Sequence, residues 1–174
     1  MNSTDLQPKN TPDYFNKYLG LLGEVDLIKG LKHSRRDFLN YLQTIQEEHY
    51  SYAYQKGKWS IAEVIQHLVD SERVFQFRAF YFARNPGSEL LGFDHESFAE
   101  KAKLSLGAKA QLIEQYESVR NSSIKLFENF SKEELLHVGS LAGQSASVAA
   151  LGFFLLGHQK HHLNILEKKY LYKG

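Results

Sequence analysis

The stretch SIAEVIQHLVDSERVFQFRAFYFAR, residues 60–84, decides the fold. It holds neither proline nor glycine, so nothing within it interrupts a helix. Ile61, Val64, Ile65, Leu68 and Phe75 recur at the three-to-four-residue spacing that gathers them on one helical face. The start is marked as well: the Ser60 hydroxyl can accept from the amide of Glu63 while the Glu63 carboxylate reaches back, a capping box. Trp59, directly before the cap, is placed to act as a hydrophobic staple. His67 flanks the apolar stripe together with Ser71 and Arg78, and can therefore face the interior of a bundle.

Outward from this segment the same pattern returns. Prolines occur only at Pro8, Pro12 and Pro86, which leaves room for long helices on both sides. Residues 25–45 carry Ile28, Leu31, Phe38, Leu42 and Ile45 at helical spacing, after a short aromatic segment at 14–22. Residues 108–130 carry Leu112, Ile113, Tyr116, Val119, Ile124 and Phe127, and a last helix is expected over 148–171. A second capping box, Ser131 with Glu134, opens a short helix ending near His137, and another short turn is expected over 96–103. Residues 85–93, with Pro86, Gly87 and Gly92, read as a loop long enough to cover a site. Residues 139–147, rich in Gly, Ser and Ala, read as a flexible connection, and the β-branched clusters are too short to suggest a sheet. Four long helices predict an all-α four-helix bundle, one domain over 13–174 behind a flexible tail at 1–12.

Composition bounds the function. With 43% hydrophobic residues, 12 Phe and 10 Tyr, the 174-residue chain can build a large core without a staple. A net charge of +1 gives no field to draw the protein onto nucleic acid or anionic lipid, so neither is expected as a partner. The absence of cysteine excludes disulfides, thiolate ligands and a cysteine nucleophile. Residues 1–12 lack the basic start and apolar run of a signal peptide, and no stretch is long and apolar enough to span a bilayer, so a cytoplasmic location is expected.

The last helix adds two more imidazoles. Leu151, Leu155, His158, His162 and Ile165 fall within about 80° of arc, with His161 turned roughly 60–100° aside. Side chains at i and i+4 sit one turn apart, so two ring nitrogens can converge on an ion about 2 Å from each. Such a spacing alone also fits two hydrogen-bonded core histidines, but three imidazoles with His67 are harder to accommodate without a shared cation. The expectation is a divalent metal held by His67, His158 and His162. Three neutral nitrogens leave a position for water, the pattern of a catalytic zinc site; nickel, iron and manganese accept the same donors. The pair overlaps the zinc-protease spacing, but residue 159 is Gln and cannot act as general base, so a protease is rejected. His33, His49, His95 and His137 lie in separate segments, where surface or capping roles are expected. Arg73, Arg78 and Arg84 could form an anion-binding edge or pair with carboxylates such as Asp70 and Glu72.

Lys58-Trp59-Ser60-Ile61-Ala62-Glu63-Val64-Ile65-Gln66-His67-Leu68, Asp70-Ser71-Glu72-Arg73 and Gly157-His158-Gln159-Lys160-His161-His162 together resemble the DinB superfamily. Leu91-Gly92-Phe93-Asp94 and the stretch from Val119-Arg120 to Leu126-Phe127 resemble its YfiT-like subgroup of metal-dependent hydrolases. The resemblance implies a four-helix bundle of unusual connection order, often a homodimer, with three histidines binding zinc or nickel at one end of a cavity. Those histidines fall on His67, His158 and His162. The subgroup frequently has Glu after the first histidine of the pair, whereas this chain has Gln159.

Two functions follow as expectations. In one, the ion activates water for hydrolysis, or the sulfur of a low-molecular-weight thiol for transfer to a small-molecule substrate, as the family's thiol-dependent S-transferases do. The thiol would arrive as a cosubstrate, with Arg78 or Arg73 orienting a carboxylate, and Asp70 and Glu72 are the candidate acid–base groups. In the other, a non-catalytic metal-binding or stress-associated interaction protein uses the ion only to pin two helices. Solvent access to the ion separates them.

Overall fold

The caps read from the sequence set the helix starts in the computed structural model, which describes residues 1–102 and 109–170. The Ser60 hydroxyl accepts from the Glu63 amide at 3.2 Å and the Glu63 carboxylate accepts from the Ser60 amide at 2.7 Å, opening α3, Ile61–Arg84. Asp26 caps α2, Leu27–Thr44, and Ser147 caps α7, Val148–Ile165, which runs on into a π-helical turn at Leu166–Tyr170. The remaining helices are α1, Asn16–Leu19; α4, His95–Lys101; α5, Lys109–Glu128; and α6, Lys132–Leu136, behind the Ser131 and Glu134 capping box. The expected helix limits at 103, 108 and 171, and the side chain of His95, lie outside the described residues. No helix of the described residues is long and apolar enough to cross a membrane.

The four long helices form a ring in which chain neighbours are not always spatial neighbours. α3 packs on α5 and α7, and α2 packs on the same two, so α2 and α3 face each other across the bundle. Cross-helix pairs give the directions. Phe75 stacks on Phe154 while His67 meets His158, so α3 and α7 are antiparallel. Arg73 bonds Gln115 and Gln76 bonds Ser123, so α3 and α5 run parallel. A parallel adjacent pair requires a return crossover, and β1, at residues 89–90, and α4 lie in the chain between the two helices.

The core divides into two apolar clusters. One gathers Phe15, Phe75, Phe82, Phe127 and Phe153, and the other gathers Phe38, Leu42, Ile65, Leu112 and Tyr116. Between them lies a buried polar layer. Arg120 donates from Nε and Nη2 to the two carboxylate oxygens of Glu72 at 2.6 and 2.8 Å, and from Nη1 to Ser34 Oγ at 2.7 Å. Ser123 donates to Glu72, Gln76 donates to Ser123, and Gln159 accepts from the Tyr116 hydroxyl while donating to the Ser34 carbonyl. Burial pulls the Arg120 guanidinium towards losing its proton, but the facing carboxylate overrides it and raises the pKa above the ordinary arginine value.

The connections differ from the expectation. Residues 139–147 are not a flexible link: β2, Val138–Leu141, and β3, Gln144–Ser147, form an antiparallel hairpin, and β1, Glu89–Leu90, adds to β2 in parallel. Ala142 and Gly143 both take positive φ, 48° and 83°, as a tight hairpin turn requires. Gly139 is required by packing, since a Cβ there would stand 2.3 Å from the Phe82 ring. Backbone pairing, largely among small residues, holds these strands in place of β-branched packing. Residues 1–12, expected as a tail, form two 3-10 turns and are bonded to α2's approach, Ser3 N to Val25 O at 2.9 Å and Leu27 N to Met1 O at 3.0 Å.

Breaking the central pair leaves a buried charge without compensation. Arg120→Met is expected to cost about 3–5 kcal/mol of unfolding free energy in urea titration, and Glu72→Leu with Arg120→Met to recover more than half of that loss.

Candidate metal centre

His67 lies on α3, two turns from its start, and His158 and His162 lie one turn apart near the end of α7. Because these helices are antiparallel neighbours, the start of one meets the end of the other. All three imidazoles are buried, at 6, 6 and 9% exposure. His158 Nε2 stands 3.1 Å from His67 Nε2 and 3.1 Å from His162 Nε2, and one nitrogen from each ring lies within 4.8 Å of the others.

This spacing suits a shared ion. Donors about 2.1 Å from one metal stand roughly 3.0 Å apart at right angles and roughly 3.4 Å apart in a tetrahedron, and the two observed edges fall between. The in-plane site of one Nε2 serves only one linear N–H···N bond, whereas His158 Nε2 faces two partners. Beyond the nitrogens, His67 Nδ1 approaches Ser71 Oγ at 3.5 Å, and the His67 ring lies 4.8 Å from that of Trp59. His158 stacks on Phe154 and meets Tyr18 edge-on, so its orientation is set by packing. Gly157 allows this approach: a Cβ there would stand 2.6 Å from the Tyr18 carbonyl oxygen.

The cluster forms one wall of a cavity of about 570 Å³, within the range of small-molecule sites. Tyr18, Trp59, Phe75 and Phe154 supply apolar wall, and Gly92 and Phe93 of the crossover reach its edge. Among the described residues, no fourth His, Asp or Glu joins the three nitrogens, and no carboxylate lines the cavity. His161 lines the cavity but stands outside the cluster; burial, and then the charge of Lys17, hold its pKa below the ordinary imidazole value.

The other candidates separate. Asp70 accepts from Gln66 at 2.9 Å and pairs with Arg73 at 3.3 Å, away from the cavity wall. Glu72 faces the opposite way, into the Arg120 pair. Arg84 pairs with Glu134, while Arg78 lines the cavity. Gln159, adjacent to His158, points into the polar layer, so an acid–base group is not what this position supplies. Tyr18 and Phe154 were not singled out from the sequence, because a ring at helical spacing reads only as core.

A helical bundle with a three-histidine cluster opening on a cavity defines the class. Residues 31–166 match the DinB superfamily, and the chain belongs to it. Among solved structures it is similar to YfiT from Bacillus subtilis, a probable metal-dependent hydrolase with an unusual four-helix bundle topology. The identity is 11%, over 94% of this chain and 90% of that one, with a TM-score of 0.63. No curated protein matches the chain.

Gln159→Glu keeps an acceptor for Tyr116 but sets a carboxylate against the Ser34 carbonyl. It is expected to lower stability by about 1–3 kcal/mol in urea titration and to leave metal content by mass spectrometry unchanged.

Proposed function

We propose that this protein is a metal-dependent enzyme acting on a small molecule, with one zinc or nickel ion held by His67, His158 and His162. The observation that carries the reading is the convergence of three ring nitrogens on a cavity wall where no fourth His, Asp or Glu, among the described residues, closes the set. An ion bound by three neutral nitrogens supplies a Lewis acid that lowers the pKa of water or a thiol towards neutrality. The chain supplies the rest: His158 is fixed by Phe154 and Tyr18, and Trp59, Phe75 and Phe154 give the cavity an apolar wall.

With no carboxylate on the described wall, the chain offers no Asp or Glu there to take a proton from the nucleophile. An ion held by His67, His158 and His162 would supply the acidity that such a wall lacks. Hydrolysis needs the fewest parts; transfer of a thiol requires a cosubstrate, since the chain has no cysteine. Asp70 and Glu72 are assigned no proton transfer in this reading.

Mass spectrometry of the untagged protein is expected to find about one zinc or nickel ion per chain, lost in His67→Ala and in His162→Ala. Cobalt-loaded protein then separates the uses of the site: a thiolate-to-metal charge-transfer band on adding a small thiol supports S-transfer. Ester turnover without such a band supports hydrolysis. A spectrum indifferent to every added ligand means a closed, structural ion and ends the enzyme reading.

A further inference from the structure

The three arginines of α3 have different partners. Arg73 and Arg84, on the surface, pair with Asp70 and Glu134. Arg78 is only 4% exposed and forms no ion pair among the described residues. Its Nη2 donates to the Leu91 carbonyl oxygen at 2.9 Å, and its guanidinium carbon lies 5.0 Å from the centre of the Phe75 ring. A carbonyl oxygen and a ring face satisfy a neutral donor well enough, and they do not neutralise a buried charge. Burial accordingly pulls the Arg78 pKa below its ordinary value.

Arg78 lines the same cavity as the three histidines, and a row of rings joins them. The His158 ring stacks on Phe154 at 5.2 Å, Phe154 stacks on Phe75 at 4.1 Å, and Arg78 covers Phe75. The guanidinium therefore lies within about 15 Å of the His158 ring, measured along stacked aromatic spacings. Lys17 lies over the Tyr18 ring beside His161, at the histidine end, so Arg78 alone is the cation of the Phe75 end, and no carboxylate stands among the described lining residues. The cavity thus has a donor-nitrogen end, an apolar aromatic floor and a cationic end.

We propose that Arg78 is an anion subsite and that the substrate is a small organic acid. Its carboxylate pairs with the guanidinium, its apolar or flat body lies over Phe154 and Phe75, and its reacting group reaches the histidine cluster. A planar guanidinium fork matches a carboxylate, and the organic anion supplies the counter-charge that no described residue provides. The inference rests on the metal-dependent reading above and adds the substrate class to it.

The test uses zinc-loaded protein and the monohydroxamates of the straight dicarboxylic acids from succinic to suberic, each compared with its methyl ester by calorimetry. The hydroxamate head ligates the ion in both, and only the free acid offers Arg78 a charge. At the best chain length the acid is expected to bind about ten- to a hundredfold more tightly than the ester. In Arg78→Gln, which retains a donor for the Leu91 carbonyl, the ratio is expected to fall to near one. Binding of the ester to that variant certifies that the site is still folded, and Arg78→Lys is expected to restore part of the ratio. Equal affinity of acid and ester at every length in the unmutated protein overturns the anion subsite and leaves the metal reading standing. Failure of every hydroxamate, acid and ester alike, to bind overturns the metal reading and this inference together.

Discussion

The bidentate pair between Arg120 and Glu72 is the constraint around which the bundle is arranged. Apolar ridges allow two helices to slide by a turn at modest cost, but a buried carboxylate and guanidinium have one arrangement that satisfies both. Through Ser34 and Gln159 the same network reaches α2 and α7, so all four long helices are fixed at one level. His158 is the residue before Gln159, and His67 lies on α3 just over a turn from Glu72. The register of the histidines is therefore a consequence of polar contacts that lie on the far side of the same helices.

The connection order follows from placing α2 and α3 diagonally. Each diagonal or parallel step needs a longer path than a hairpin turn, and the long paths become the cover of the site. The crossover after α3 sends Gly92 and Phe93 to the cavity edge, and Leu141 and Ala142 of the hairpin before α7 close another side. Gly139 lets this hairpin lie directly on Phe82, and its exposed turn brings Ala142 to the cavity edge.

Much of this was legible in the sequence because it is local. The apolar stripes, the two capping boxes and the one-turn spacing of His158 and His162 are properties of a few consecutive residues, and the structure agrees with each. What was not legible is set by partners far along the chain. Glu72 and Asp70 look equivalent in a sequence; Arg120, 48 residues on, buries one, whereas Asp70 finds Gln66 and Arg73 on its own helix. The three α3 arginines differ for the same reason. The hairpin at 138–147 was missed because small residues carry little strand propensity; its turn geometry and the space beside Phe82 make the strands.

The polar layer thus has two halves, divided by α7. On the Gln159 side, donors and acceptors close on one another, and the closed set rigidifies the core. On the His158 side, three ring nitrogens converge and Arg78 has no carboxylate partner among the described residues, all around one cavity. The closed half fixes the rotation of α7, and with it the face on which His158 and His162 meet His67. The histidines and Arg78 stand on long helices whose register the closed half sets, so the open half is preorganised by it.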